Sequence, residues 1–152
     1  MGIILARIDS RLIHGQVAEG WLPSLRPDDV IVASSQYAQS GLARKMMRMS
    51  LPADYGLEIF NPPQAAEFLK RETPRKFFVL IESIGDLKEM LDLGLWLPRI
   101  NIGNTRYEHG KKELSESVYI TPQEDDFLRG LTAGGVKIDI RALPASITGR
   151  FC

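Results

Sequence analysis

The sequence predicts an α/β fold: a doubly wound, mostly parallel open sheet of about six or seven strands with helices on both faces. Two observations support this prediction. Short apolar runs rich in isoleucine, valine and phenylalanine alternate along the chain with longer segments whose apolar residues recur at helical spacing. No internal repeat, low-complexity tract or linker interrupts that alternation. A chain of 152 residues can bury one core, so we expect a single domain over residues 1–152.

In the first half of the chain, apolar runs predict three buried strands, at residues 2–8, 30–33 and 57–60. A helix is predicted after the first strand, because apolar residues from Val17 onward recur at spacings of three and four, and Pro23 is expected to end it. A second helix is predicted over residues 39–49. Its apolar stripe, which by the usual pattern faces the core, consists of Leu42, Met46 and Met49.

In the second half, apolar runs predict four more strands, at residues 77–81, 99–103, 118–120 and 136–140. The helix between the first two of these is expected to end near Gly94, and a later helix begins with a capping pattern at Thr121. Residues 104–116 form the longest stretch without periodicity. We expect a polar loop there, of a kind that is more often functional or mobile than merely connecting.

Composition and charge exclude several classes of protein. Nineteen basic and nineteen acidic side chains balance, so the chain as a whole has no electrostatic attraction to nucleic acid. No apolar run is long enough for a signal sequence or a membrane span, so we expect a cytoplasmic domain without direct membrane insertion. The one cysteine is Cys152, so no internal disulfide is predicted. With only two histidines besides, the chain predicts no metal site.

The most informative polar segment, residues 9–17, follows the first strand. In an open parallel sheet, ligands bind outside the carboxyl ends of the strands, which is where this segment lies. His14 offers a neutral imidazole that can attack a phosphoryl group. Arg11 carries a donor fork suited to phosphate, and Gly15 and Gln16 supply backbone N–H groups near a helix N-terminus. Spacing alone gives equal weight to a loop histidine that hydrogen-bonds to the backbone.

Several other residues allow two interpretations each. Asp9 could orient His14 or Arg11, or it could equally cap the turn. For His109, an exposed loop position is favoured over a second site residue. Trp21 is interpreted as core packing. Three basic residues of the second helix are interpreted as a solvated face rather than a docking patch: Arg44, Lys45 and Arg48.

Motifs for other chemistries are absent from the sequence. There is no Walker pattern, no G-x-G-x-x-G after the first strand and no serine in a nucleophile elbow. The predicted strand ends also lack paired carboxylates, since Asp9 and Glu82 each stand alone. No cofactor is therefore predicted.

The segment RIDSRLIHGQV at residues 7–17, followed by Trp21, resembles the signature of the IIB domain in the mannose/fructose/sorbose family of the sugar phosphotransferase system (PTS). The chain resembles a free-standing IIB domain rather than one fused to IIA. Two positions depart from the pattern: Ser10, where many relatives carry an acidic residue, and Ser34-Ser35, where they often carry Asn-Asp. The likeness extends over nearly the whole chain, through residues 44–45, 101–104, 110–111, 118–121 and 136–144.

The resemblance implies a cytoplasmic phosphocarrier in sugar uptake, of the protein-phosphohistidine–sugar phosphotransferase class. His14 would accept a phosphoryl group on Nδ1 from a phosphohistidine of IIA, and would pass it to sugar carried by the membrane components IIC and IID. Arg11, Gly15 and Gln16 match the positions expected to hold that group. A non-catalytic regulatory or phosphate-binding domain that keeps the IIB fold is the alternative, and a nucleotide-binding flavodoxin-like domain is a third possibility.

Overall fold

A computed structural model of the chain describes residues 2–146 and 149–151. Its main sheet has seven strands in the order β3-β2-β4-β1-β5-β8-β9, of which the first six are parallel and the two-residue β9 is antiparallel. A separate antiparallel hairpin pairs β6 with β7. The strands are β1 Gly2–Asp9, β2 Asp29–Ala33, β3 Gly56–Phe60, β4 Lys76–Ile81, β5 Arg99–Asn104, β6 Lys112–Ser115, β7 Val118–Ile120, β8 Lys137–Ile140 and β9 Gly149–Arg150.

Helical segments connect the parallel strands and cover both faces of the sheet. A π-helical segment, Gln16–Trp21, follows β1 and continues into a short α-helix. The α-helices are α1 Leu22–Leu25, α2 Ser35–Ala38, α3 Gly41–Ser50, α4 Pro62–Leu69, α5 Ile84–Asp92 and α6 Pro122–Ala133. The predicted doubly wound α/β fold with a mostly parallel sheet is confirmed.

Two apolar clusters lie on opposite faces of the sheet. The larger one packs α4, α5 and α6 against the strands, through residues such as Ala65, Leu87 and Leu128. The smaller one packs the π-helical segment, α1 and α3, through Trp21 and Met47 among others. Alternate residues of β1 serve the two clusters, since strand side chains point to opposite faces in turn. The smaller cluster therefore lies directly behind the segment that contains His14.

The prediction that Pro23 ends the first helix is wrong. The helix continues to Leu25, and the chain leaves it at Arg26, whose φ of 49° is left-handed. Pro23 lacks an N–H to donate to the preceding turn, and it stands where the π-helical segment gives way to α1, so the change of helix type accompanies the missing hydrogen bond. Sequence periodicity could not separate the π-helical turn from the α-helical one.

The predicted core-facing stripe of α3 is also wrong. Leu42, Met46 and Met49 are 71%, 61% and 84% exposed, and Met47 is the residue of α3 that is buried. Hydrogen bonds from the basic side of the helix explain its orientation. Arg44 donates to the backbone oxygen of Ile59 in β3, and Arg48 donates to three backbone oxygens beyond the helix, those of Leu51, Pro52 and Tyr55. Arg48 is thus half-buried rather than solvated, whereas Lys45 is exposed.

The stretch from residue 104 to 116 is not wholly a loop. Its second half forms β6, which pairs with β7. His109 is exposed, as expected, and lies in a turn before the hairpin. Among the described residues, His109 takes part in no hydrogen bond or ion pair.

Candidate active site

The sheet places the end of β1 between β4 and β5, at the carboxyl edge of the parallel strands. The turn after it is tight: the backbone N–H of Leu12 donates to the carbonyl oxygen of Asp9 at 3.1 Å, and that of Arg11 donates to Asp9 Oδ1 at 2.9 Å. Leu12 has a φ of 56°, which strains a residue with a branched side chain, yet its side chain is buried in the smaller cluster. Burial of Leu12 therefore fixes a turn that projects the following residues over the sheet edge.

Asp9 is buried at the centre of the site. Its Oδ2 accepts hydrogen bonds from Arg7 Nε at 3.1 Å and from Asn104 Nδ2 at 3.1 Å, and it lies 2.7 Å from His14 Nε2. Together with the bond from the Arg11 backbone, the carboxylate has four partners. The two roles considered for Asp9 coexist, because one oxygen caps the turn and the other contacts the imidazole.

The surroundings of Asp9 keep it ionised. Burial by itself would raise the pKa of Asp9, but the hydrogen bond with His14 and the charge of Arg7 outweigh burial, and the pKa lies below its usual value. An ionised carboxylate only accepts hydrogen bonds, so the proton between Asp9 and His14 belongs to Nε2. In a neutral imidazole, Nδ1 then carries the lone pair. Among the described residues, Nδ1 has no hydrogen-bond partner, and the His14 side chain is 9% exposed.

Arg7 is the cation that sequence reasoning missed. It is fully buried although it lies in the apolar strand β1. Besides Asp9, its guanidinium donates to the side-chain oxygen of Asn101 at 2.7 Å, to the backbone oxygen of Arg141 at 2.8 Å and to Gln16 Oε1 at 3.1 Å. Burial lowers the pKa of Arg7, and the nearby carboxylate of Asp9 partly restores it. An arginine stays protonated under either influence, so the site holds a permanent internal positive charge.

Strand register explains how these polar groups meet. Arg7 pairs with Asn101, and Asp9 pairs with Asn104, with a register shift between them that leaves Gly103 as the extra residue of β5. A Cβ at Gly103 would overlap the Arg7 guanidinium. Glycine at this position therefore creates the space in which Arg7 reaches its partners.

Gln16 turns its side chain into the network, where Oε1 accepts from Asn104 as well as from Arg7. Its backbone N–H lies at the start of the π-helical segment, next to that of Gly15. The first N–H groups of a helix have no acceptor in a preceding turn and carry the positive end of its dipole. The side chain of Gln16 thus belongs to the buried network, whereas its backbone N–H is available to an anion.

Arg11 lies on the outer side of the turn and is exposed. Its guanidinium makes no hydrogen bond or ion pair with any residue that the structure describes. A cation without internal partners at the edge of the site can reach an anion bound there. The site residues that the sequence predicts therefore lie together after the end of β1: Asp9, Arg11, His14, Gly15 and Gln16.

Trp21 is buried as expected, but it does more than fill the core. Its indole N–H donates to the backbone oxygen of Ala142 at 2.9 Å. The guanidinium carbons of Arg7 and Arg141 lie 5.2 Å and 5.6 Å from the ring centre. Asp139 completes this group, accepting from Arg141 and from Asn101. The segment after β8 therefore closes over the buried side of the site.

The signal for the missed residues was present in the sequence. An arginine within a strand that is otherwise buried must have hydrogen-bonding and charged partners. Asparagines within the apolar strand β5 are candidates for those partners. Which of them reach Arg7 depends on the strand order and register, which a single sequence does not provide.

The described part of the chain contains no group of three or more His, Cys, Asp or Glu residues that could hold a metal ion. None of the helices in the described ranges is long and apolar enough to cross a membrane.

Comparison with known proteins identifies relatives across the whole chain. The family described as "PTS system sorbose subfamily IIB component" matches residues 3–151. The fructose-specific EIIB component of Bacillus subtilis is 28% identical over 155 aligned positions, which cover 99% of this chain and 94% of that protein.

Solved structures agree. The IIB domain of the sorbose permease from Klebsiella pneumoniae superposes with a TM-score of 0.89 at 28% identity, covering 99% of this chain and 93% of that one. The N-acetylgalactosamine-specific IIB component 1 of Escherichia coli superposes with a TM-score of 0.90 at 26% identity, covering 97% and 98% of the two chains.

Proposed function

We propose that His14 carries the phosphoryl group of this chain, which belongs to the sorbose subfamily of IIB components of the sugar phosphotransferase system. The chain is accordingly a phosphotransferase that acts as a phosphocarrier in sugar uptake. The observation that carries the proposal is the contact between His14 Nε2 and Asp9, because it leaves the lone pair of a neutral ring on Nδ1, which has no partner among the described residues.

The donor is the phosphohistidine of a IIA component, and the acceptor is sugar carried by the membrane components IIC and IID. Both steps take place in the cytoplasm. The named sugars of the relatives differ, with fructose, sorbose and N-acetylgalactosamine among them. We therefore assign the choice of sugar to the membrane components rather than to the residues around His14.

In the first step, Nδ1 of His14 attacks the phosphorus, a new P–N bond forms, and the P–N bond to the donor histidine breaks. The phosphorylated ring of His14 keeps its proton on Nε2 and becomes cationic. Asp9 stabilises this charge through the existing 2.7 Å contact. In the second step, the sugar hydroxyl attacks the phosphorus and releases its proton to solvent, the P–N bond breaks, and His14 leaves as a neutral imidazole that still carries its proton on Nε2.

The phosphoryl oxygens need positive partners outside the ring. Arg11 supplies an exposed guanidinium, and the backbone N–H groups of Gly15 and Gln16 supply the positive end of a helical segment. Transfer between two histidines requires little from a protein beyond such positioning and charge stabilisation.

A non-catalytic phosphate-binding or regulatory domain is the competing function. One observation favours it: Nδ1 is shielded from solvent, so the turn must open slightly before a donor can approach. Intact mass after incubation with a phosphorylated IIA separates the two functions. A carrier gains one phosphoryl group, His14→Ala does not, and His109→Ala, which removes the other histidine, gains it normally. If the wild type gains no mass with any competent donor, the carrier function is lost.

A further inference from the structure

We propose that Arg7 is a positioning residue that keeps Nδ1 of His14 free of a proton by neutralising Asp9. The inference rests on the proposed role of His14 and adds a residue that never touches the phosphoryl group. Arg7 and His14 contact the same oxygen, Oδ2 of Asp9, at 3.1 Å and 2.7 Å.

Charge balance decides whether the buried pair of Asp9 and His14 takes up a proton. The side chains of Arg7 and Asp9 have no exposed surface. Taking a carboxylate out of water is unfavourable unless a positive charge lies beside it. Arg7 provides this charge permanently, so Asp9 can remain ionised beside a neutral imidazole.

Without Arg7, the Asp9–His14 pair would recruit a proton from solvent to balance the buried charge. If the proton joins His14, both ring nitrogens are protonated and Nδ1 has no lone pair. If it joins Asp9 instead, the acid donates to Nε2, and the neutral ring then carries its own proton on Nδ1. Both outcomes remove the nucleophile at neutral pH, and both are reversed at a higher pH, where the extra proton leaves.

The other charged groups around the pair are already balanced or lie outside it. On β8, Asp139 accepts from Arg141 Nε at 2.6 Å, so this carboxylate has its own cation. On β5, the groups that face the pair are neutral amides, those of Asn101 and Asn104. On the turn, Arg11 is exposed and reaches Asp9 only through its backbone N–H. No second cation in the described structure can therefore replace Arg7 at Asp9.

The shape of the side chain matters as well as its charge. Its guanidinium donates to four acceptors: Asp9 Oδ2, Asn101 Oδ1, Gln16 Oε1 and the backbone oxygen of Arg141. Its central carbon lies 5.2 Å from the centre of the Trp21 ring. A lysine has one nitrogen and cannot serve all of them. Lysine would keep the charge near Asp9 but would leave some of these acceptors unpaired.

The contributions of the charge and of the shape of Arg7 can be separated with Arg7→Met and Arg7→Lys. For Arg7→Met, we expect the pH profile of phosphoryl transfer from IIA to move upward by about one unit or more, the usual effect of losing an opposite charge at this range. At neutral pH the rate then falls by about tenfold or more and recovers as the pH rises. For Arg7→Lys, the midpoint of the pH profile should equal that of the wild type, and the maximal transfer rate should be lower. Arg106→Met is the control: it removes an exposed arginine of the loop before β6, away from this network, and its profile should not move.

Ring ¹⁵N spectra of His14 provide a second readout that needs no phosphoryl donor. We expect a neutral ring with its proton on Nε2 in the wild type and in Arg7→Lys, and a protonated Nδ1 in Arg7→Met at the same pH. Circular dichroism identifies variants that fail to fold. If Arg7→Met is one of them, the test rests on Arg7→Lys, whose pH profile should keep the wild-type midpoint. An unshifted profile and an unchanged ring in folded Arg7→Met would overturn the role of Arg7. A wild type that gains no phosphoryl group would instead overturn the role of His14, whatever the ring spectra show.

Discussion

Nε2 of His14 lies 2.7 Å from Oδ2 of Asp9, and this contact determines which ring nitrogen carries the proton. The carboxylate accepts the proton of Nε2, so the lone pair of a neutral ring is left on Nδ1. In the proposed mechanism, the same hydrogen bond selects Nδ1 as the nucleophile and stabilises the cationic ring of the phosphorylated state.

Replacing Asp9 with asparagine tests the contribution of its charge to both transfer and stability. Asparagine keeps the size of the side chain but removes the charge, so the phosphorylated ring loses its counter-ion. We expect the rate of transfer from phosphorylated IIA to fall by on the order of 100-fold. The free energy of unfolding at neutral pH should also fall, by about 3–5 kcal/mol, because the buried guanidinium of Arg7 loses its counter-ion. Transfer at the wild-type rate in a folded Asp9→Asn protein would contradict the role assigned to Asp9.

The depressed pKa of Asp9 predicts how stability depends on pH. The pKa of Asp9 is lower in the folded than in the unfolded chain, where it is about 3.9. Its contribution is thus fully present above the unfolded value and is lost as the pH falls through the folded value. In urea unfolding, we expect the stability difference between wild type and Asp9→Asn to be constant above about pH 5 and to shrink below about pH 4. A difference that stays constant down to the acid limit of folding would show that Asp9 is not ionised by its surroundings.

Arg11 should affect transfer without affecting stability. It is exposed and has no internal partner in the described structure, so Arg11→Ala should change the free energy of unfolding by no more than about 0.5 kcal/mol. Loss of a cation at the phosphoryl oxygens should lower the transfer rate by on the order of 100-fold. Arg106→Ala, which removes an exposed arginine from the loop before β6, is the matched control and should transfer normally. Equal rates for the two variants would remove Arg11 from the site.

Gly103→Ala tests the space that Arg7 occupies. The added methyl would overlap the guanidinium, and because both residues are buried neither can move away freely. We expect a loss of about 1–3 kcal/mol in thermal or urea unfolding, together with slower transfer. Gly130→Ala in α6 has open space around it and should instead stabilise the chain by about 0.5–1 kcal/mol. If both substitutions are neutral, Arg7 is not confined as described.

The sheet was predictable because alternating apolar runs and helical segments allow few arrangements. The orientation of α3 was not, since a sequence shows that Leu42, Met46 and Met49 share one face but not whether anything covers it. Hydrogen bonds from Arg44 and Arg48 to backbone oxygens, which no periodicity reveals, orient the helix.

The candidate site likewise has one part that the sequence predicts and one part that it does not. Its outer part, from Asp9 to Gln16, is contiguous in sequence and could be identified there. Its inner part depends on contacts between residues far apart in the chain, such as the 2.7 Å contact of Arg7 with Asn101, 94 residues away. Only the register of β1 against β5 brings those groups together.

The nitrogen that carries the phosphoryl group tests the central claim most directly. The protein, labelled with ¹⁵N in its histidines, is phosphorylated by phosphorylated IIA, and ³¹P–¹⁵N couplings are measured. We expect one phosphorus, coupled to Nδ1 of His14, with Nε2 still protonated and hydrogen-bonded to Asp9. Phosphorus on Nε2, on His109 or on another residue, or none at all, would contradict the mechanism.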